Sequence, residues 1–161
     1  MSDIVEIVDF SSSLAWHFSE LNLAWISKYF VVEPDDETVL GNPKKYIIDE
    51  GGHIFFAKFH NEIVGTFAFM KEGNDVFKLS KMAVSENHLG KNIGNIMMKF
   101  GLKKAKELQA KKVILYSNTI LGAVIHLYKK YGFVEVPLEN PEFERSNIKM
   151  EIDLTRQYDK D

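Results

Sequence analysis

The segment SENHLGKNIGN, residues 85–95, holds two glycines four positions apart together with a histidine and a lysine. Glycine lets a ligand approach the backbone closely, and Lys91 or His88 would add positive charge. An apolar, strand-like run precedes the segment and a helix-like run follows it. Backbone N–H groups in the first turn of a helix lack internal partners, so such connections bind phosphate readily. The segment is neither a Gly-Lys-Ser/Thr loop nor a GxGxxG loop, and taken alone it indicates either a phosphate site or a sterically tight turn.

Other reactive side chains form no recognisable constellation. The chain has no cysteine, which excludes disulfides, thiolate metal sites and cysteine nucleophiles. His17, His53, His60 and His88 stand apart without the spacing of metal ligands, and His126 is interpreted as a surface or packing residue. We therefore expect no metal.

Composition limits the class of protein. The 161 residues are 45% hydrophobic and 27% charged, as expected for one folded domain spanning 1–161. The net charge is −3 and the arginines are only Arg145 and Arg156, which argues against a nucleic-acid partner. The acidic N-terminus is unlike a signal peptide, and no window approaches the roughly 20 apolar residues of a membrane span. The expectation is a cytoplasmic protein with no membrane contact.

The first fifty residues predict a strand and two helices. A β-branched strand covers 4–10, and a helix follows over 11–30, where serines are available to cap its start. A shorter helix is expected within 35–50, interrupted at Gly41-Asn42-Pro43. The acidic VEPDDE stretch, 32–37, either attracts a cationic amine or places favourable charge at a helix start, and the helix interpretation is preferred. Trp25 and Tyr29 could line a pocket, but their helical spacing favours core packing.

The rest of the chain predicts a meander followed by alternating elements. Strands are expected at 53–59, 62–71 and 75–84, with a tight turn at His60-Asn61. A helix then begins near Gly94, a buried strand covers 112–118, a helix ends at Gly132, and FVEV and NIKMEIDL close the sheet. The order β-α-α-β-β-β-α-β-α-β-β predicts an α+β fold with a mixed, largely antiparallel sheet flanked by helices.

Two segments together resemble the GNAT superfamily of acyl-CoA-dependent N-acetyltransferases. They are LSKMAVSENHLGKNIGNIMM and LYSNTILGAVIHLYKKYGFVEV, and LYKKYGF is the more specific part. The predicted element order is also that of the superfamily. The family loop, Gln/Arg-x-x-Gly-x-Gly/Ala, ends on Gly94, which puts Leu89 at the Gln/Arg position and Asn92 at the middle glycine. Asparagine is the non-glycine residue that best tolerates a left-handed backbone.

The resemblance implies where acetyl-CoA would bind. It implies a sheet splayed between 76–84 and 112–118, with the pantetheine arm lying against backbone groups of Met82 and Val84. It assigns the pyrophosphate to main-chain donors of the loop, from Leu89 through Gly90, Lys91, Asn92 and Ile93 to Gly94, with Asn95 beneath them. Asn118 would bind pantetheine from the far side, and Lys129 or Lys130 would reach the 3′-phosphate.

The resemblance also implies an acetyl-CoA-dependent N-acetyltransferase acting on a primary amine of a small molecule or peptide. Tyr128 matches the tyrosine that protonates the departing thiolate, although helical spacing alone favours a core aromatic. Glu33 is the candidate general base and Glu20 its alternative, but each more often is a solvated surface acid. The competing hypothesis is a non-catalytic acyl-CoA-binding module. Exposed edge strands make a homodimer possible.

Overall fold

A computed structural model describes residues 4–139 and 143–155, which form a sheet with helices on both faces. Its strands are β1 (Glu6–Asp9), β2 (His53–Phe59), β3 (Glu62–Lys71), β4 (Val76–Val84), β5 (Lys112–Ser117), β6 (Val134–Val136) and β7 (Ile148–Asp153). Its α-helices are α1 (Ala15–Tyr29), α2 (Pro34–Gly41), α3 (Ile93–Glu107) and α4 (Gly122–Lys130). The order in the sheet is β1-β2-β3-β4-β5-β7-β6. This confirms the predicted α+β class and element order.

The β2–β3 hairpin supplies both hydrophobic cores, because successive side chains of a strand point to opposite faces. Phe55 and Phe67 face α3 and α4, with ring centroids 5.2 Å apart. Ile54 and Phe56 face α1 and α2 on the other side. The hairpin turns at His60-Asn61, where φ is 51° and 63°, as the sequence predicts for a tight two-residue turn.

Gly65 sets how closely α3 lies on the sheet. A Cβ built on Gly65 would lie 3.1 Å from the Met97 sulfur and 3.2 Å from Cγ2 of Ile93. Ile93 and Met97 belong to the first turns of α3, and both are buried. The missing side chain in β3 therefore fixes the position of the N-terminus of α3, and with it the loop that precedes the helix.

Strands β4 and β5 pair over a short distance and then separate. Their parallel register joins Val76 to Lys112, Phe77 to Val113 and Lys78 to Ile114. Beyond Lys78, β4 continues to Val84 paired with β3, whereas β5 continues paired with β7. The predicted splay between 76–84 and 112–118 is therefore present in the sheet.

Some local predictions need correction. The serines before α1 do not cap it, because the helix follows a 3₁₀ turn at Ser12–Leu14 and no side chain bonds its N-terminus. The second helix is interrupted where Pro43 predicts, and the chain continues as one π-helical turn, Lys44–Ile48. Across residues 4–139 and 143–155, no helix has the length and apolar character needed to cross a membrane.

Candidate functional site

A cavity of about 970 Å³ opens where β4 and β5 separate. Its walls come from β4, the loop after it, the start of α3, the end of β5, and parts of α1 and α4. The cavity brings together most of the residues that the sequence predicted for one site, namely Met82, Val84, Leu89, Gly90, Asn92, Ile93, Gly94, Asn95, Asn118 and Tyr128. Lys91, Lys130 and Glu33 lie outside its lining.

The loop before α3 presents backbone donors to the cavity. The N–H groups of residues 92–95 donate to no acceptor in the described part of the chain, and the first helical bond runs from Ile96 N to Asn92 O at 3.2 Å. Asn92 has φ 67° and ψ 16°, the left-handed conformation that asparagine tolerates better than other non-glycine residues, and Gly90 has φ 84°. Free N–H groups at a helix start, with the positive end of its dipole, form a site suited to an anion.

The backbone of β4 also faces the cavity. Ser85 N donates to Val64 O at 2.7 Å, so Ser85 forms a hydrogen-bonded pair with β3. Such pairs alternate along an antiparallel ladder, which turns the N–H and C=O of Val84 away from β3, toward the side that β5 has left. A bulge interrupts the ladder between Thr66 and Ala68, and opposite it Lys81 has φ 54°.

Tyr128 lies in the wall of the cavity with its ring packed in the core. Only 7% of the residue is exposed, and its ring centroid is 5.8 Å from that of Phe133. Its hydroxyl has no hydrogen-bond partner among residues 4–139 and 143–155. Burial raises the pKa of Tyr128 above its ordinary value, so the phenol stays protonated at neutral pH. The residue is thus both a core aromatic and a proton-bearing group at the cavity.

The polar residues near the two ends of α4 are held by protein contacts. Asn118 Nδ2 donates to Arg145 O at 2.6 Å, while its Oδ1 accepts from Ile120 N at 2.9 Å. Lys130 Nζ donates to Asn95 Oδ1 at 2.8 Å, beside the first turn of α3. Lys91 lies 5.8 Å from the centre of the Phe59 ring. Among these predicted ligands, Asn95 and Asn118 line the cavity, whereas Lys91 and Lys130 lie outside its lining.

Glu33, the base expected from sequence, is engaged elsewhere. It caps the N-terminus of α2, and its carboxylate accepts from Glu144 N at 3.2 Å and from Arg145 Nη1 at 3.5 Å. Glu20, the alternative, does line the cavity. Trp25 and Tyr29 line it too. Trp25 is half-buried, as core packing predicts, but 48% of Tyr29 is exposed, so the expectation that Tyr29 packs in the core is wrong.

A buried ion cluster, formed by Asp36, Lys81 and Arg145, closes the cavity on the side of α1 and α2. Asp36 is fully buried and accepts from Lys81 Nζ at 2.7 Å and from both terminal nitrogens of Arg145 at 2.7 Å. The ring of Phe143 lies 4.4 Å from both cations. Burial alone would raise the pKa of Asp36, but the hydrogen bonds from Arg145 and Lys81 lower it to about 2. Sequence reasoning missed this cluster, because 45 and 109 residues separate its partners.

The described residues contain no group of three or more His, Cys, Asp or Glu side chains placed to hold a metal ion. The cavity itself presents two kinds of polar group. Backbone donors dominate near the loop, and charged side chains dominate near the ion cluster.

Comparison with known proteins identifies relatives by sequence pattern and by fold. A family model described as the Acetyltransferase (GNAT) family matches residues 16–133. Comparison with curated proteins gave no match. A GNAT-family acetyltransferase from Staphylococcus aureus Mu50 superposes with a TM-score of 0.83, at 21% identity over 94% of this chain and 99% of that one.

Two further structures show the same fold. Ard1 from Thermoplasma volcanium has a TM-score of 0.75, at 17% identity over 92% of this chain and 97% of its own. A chimera of the spermidine N-acetyltransferase SpeG from Vibrio cholerae and hSSAT has a TM-score of 0.71, at 14% identity over 95% and 96%. At these identities the structures establish a shared architecture.

The ion cluster gives a testable prediction for stability. Asp36→Asn is expected to lower the free energy of unfolding by about 3 kcal/mol at pH 7, because Lys81 and Arg145 would stay buried without their carboxylate. In the wild-type protein, the stabilisation from ionised Asp36 is complete above its unfolded pKa of about 3.9. It is lost as the pH falls from there through the folded pKa of about 2. Urea denaturation measures both effects, on the wild type and the variant at pH 7 and on the wild type as the pH is lowered to about 2.

Asp35→Asn is the matched control, because Asp35 is an exposed acid on the same helix. Its loss should change the free energy of unfolding by less than about 0.5 kcal/mol. Equal losses in the two variants would contradict the assigned role of Asp36.

Proposed function

The chain belongs to the GNAT family of acetyltransferases, and on that premise we propose that it transfers an acetyl group from acetyl-CoA to a primary amine. One observation carries the proposal. The cavity between the separated strands is bordered by unpaired backbone donors at one end and contains the buried phenol of Tyr128. Buried backbone groups require hydrogen-bond partners, and an extended ligand with amides and phosphates would supply them along this cavity.

The residues present suit acetyl-CoA. The N–H groups of residues 92–95 would hold the pyrophosphate, and the left-handed turn at Asn92 provides the tight backbone that this contact needs. The exposed backbone groups of Val84 would pair with the amides of the pantetheine arm, in the manner of an added strand. Lys130, beside Asn95, is the proposed partner of the 3′-phosphate. Leu89 offers no polar side chain, so the site relies on main-chain donors there.

When bound, acetyl-CoA supplies the acetyl group as an activated thioester. A backbone N–H of β4, from Met82 or Val84, would stabilise the negative charge that develops on the acetyl oxygen. As the carbon–nitrogen bond forms, the attacking amine loses one proton, and the carbon–sulfur bond then breaks. The departing thiolate must take up a proton. The reaction therefore releases no net proton from a neutral amine, and one proton from an acceptor that binds as an ammonium ion.

Tyr128 would donate to the departing sulfur. Because burial keeps the phenol neutral, it presents an O–H at neutral pH rather than a second negative charge. A phenol is a weaker acid than a thiol, whose ordinary pKa is about 8.5. Burial disfavours both the phenolate and the thiolate, so a hydrogen bond from the phenol is worth most as negative charge develops on the sulfur. The role of Tyr128 is therefore to supply a hydrogen bond, and the proton with it, when the sulfur leaves.

The proton of the attacking amine needs an acceptor. Two acids line the cavity, and one of them, Glu86, is paired with Lys28. The other, Glu20, forms no ion pair within the described residues and projects from α1. We place Glu20, or a water that it binds, ahead of Glu33 as proton acceptor, because Glu33 is committed to Arg145 and to the start of α2.

Tyr128→Phe tests the proposed chemistry. With acetyl-CoA and an amine panel of polyamines, amino acids, aminoglycosides and peptides, the variant should release thiol at least 10-fold more slowly than wild type. Its affinity for CoA should change by less than about 2-fold, because only a hydroxyl is removed. Tyr46→Phe, at an exposed tyrosine outside the cavity, is the control.

The outcomes separate the two hypotheses for this family member. Equal loss of turnover and CoA binding in Tyr128→Phe would contradict the donor role. If CoA raises the melting temperature of the wild type but no amine is acetylated, the binding-module alternative is favoured.

Gly94→Glu tests the position of the phosphate. The new carboxylate would face the pyrophosphate, and its Cβ would lie 3.3 Å from Leu127 Cδ2, so part of any effect is steric. Gly94→Gln adds the same bulk without the charge. We expect CoA affinity to fall at least 10-fold further in Gly94→Glu than in Gly94→Gln, measured by calorimetry. Identical affinities in the two variants would place the phosphate elsewhere.

A further inference from the structure

The acceptor end of the cavity contains a cationic group that the reaction itself does not require. We propose that Arg145 binds a carboxylate on the acceptor, so that the amine substrate is of the amino-acid class. This inference rests on the proposed acetyl transfer, and it goes further by assigning a subsite and a substrate class.

The hydrogen bonding of Arg145 leaves one edge of its guanidinium available. Its two terminal nitrogens bind the two oxygens of Asp36 at 2.7 Å, and Nη1 also reaches Glu33 Oε2 at 3.5 Å. Nε and the second hydrogen of Nη2 form the other edge of the fork, and no acceptor in the described chain takes them. The two N–H groups of that edge are spaced to donate to the two oxygens of one carboxylate, in two parallel hydrogen bonds.

The surroundings of Arg145 hold it in place and keep water away from it. Its side chain is only 11% exposed and yet lines the cavity. Its guanidinium lies 4.4 Å from the Phe143 ring and 5.9 Å from the Trp25 ring. Its carbonyl accepts from Asn118, which follows β5 at the border of the cavity. A fixed, poorly hydrated guanidinium binds an anion more strongly than a mobile surface one.

The charges of the cluster are balanced without a ligand. Asp36 and Glu33 are two carboxylates beside the two cations Lys81 and Arg145. The available edge of the Arg145 guanidinium, and not a surplus of buried charge, is therefore what would bind the carboxylate of the substrate.

The rings that enclose the cluster suit the remainder of such a substrate. Trp25 and Phe143 line the cavity and contribute apolar surface beside Arg145. A carboxylate at Arg145 would therefore leave an apolar or aromatic side chain in contact with these rings. Arg145, Trp25 and Phe143 lie outside the two segments that carry the family resemblance.

Matched acceptor pairs test the inference. The pairs are phenylalanine and 2-phenylethylamine, leucine and 3-methylbutylamine, and lysine and cadaverine, which differ only by the carboxylate. Each compound is titrated calorimetrically into wild type, Arg145→Lys and the exposed-site control Lys45→Gln, with and without CoA. We expect at least one amino acid to bind at least 10-fold more tightly than its decarboxylated partner. Arg145→Lys should abolish that difference and change CoA affinity by less than about 2-fold. The variant should melt at a lower temperature than the wild type, because lysine cannot replace the bidentate contact to Asp36, but CoA should still raise its melting temperature.

The same titrations can also contradict the proposal. Three results would each overturn the proposal. They are equal or tighter binding of the decarboxylated compounds, no binding by any amino acid, and an unchanged preference for the amino acid in Arg145→Lys. The cluster of Asp36, Lys81 and Arg145 would then have a structural role only. The titrations without CoA measure acceptor binding by itself. If the wild type fails to bind CoA, that result therefore contradicts the proposed acetyl transfer and leaves the carboxylate subsite to be judged from these titrations. Retained CoA binding by Arg145→Lys shows that a lost preference is not caused by misfolding.

Discussion

The separation of β4 from β5 after only three paired residues is the constraint on which the site depends. Buried backbone N–H and C=O groups require partners, and a sheet normally supplies them to each inner strand from both sides. Beyond Lys78, β4 keeps its pairing with β3 but loses its neighbour on the other side. The start of α3 adds N–H groups that no described residue accepts. The cavity thus offers a row of backbone donors and acceptors, held rigidly by the packing of α3 on Gly65.

The two ends of the cavity use different chemistry. The direction of the backbone N–H groups in the loop depends on the backbone conformation more than on the side chains. A loop with Leu89 and Asn92 can therefore still present these donors. Asn92 preserves the left-handed turn, with φ 67°. The ion cluster at the other end depends on particular side chains held at hydrogen-bond distance. In the proposed function, the backbone would therefore bind the acetyl donor, whereas side chains would bind the acceptor.

The order of strands and helices could be predicted from the sequence, because the spacing of hydrophobic residues and the residue types at turns are properties of short segments. The strands at 53–59 and 62–71 have the predicted bounds, and the turn at His60-Asn61 has the expected backbone. The acidic stretch before α2 begins a helix, as interpreted. The inward direction of Asp36 could not be predicted, since its partners lie on a strand bulge and in a segment more than 100 residues away. Nor does any local pattern show that Glu33 would be held by Arg145 while Glu20 faces the cavity.

Amide hydrogen exchange with and without CoA tests the central claim most directly. If the unpaired backbone groups are the acetyl-CoA site, CoA should slow exchange at Val84 and at residues 92–95. The turn between β3 and β4, at residues 72–75, lies at the opposite end of β4 from Val84 and outside the cavity, and its exchange should not change. Unaltered exchange at these amides under saturating CoA, or protection confined to another part of the chain, would contradict the account.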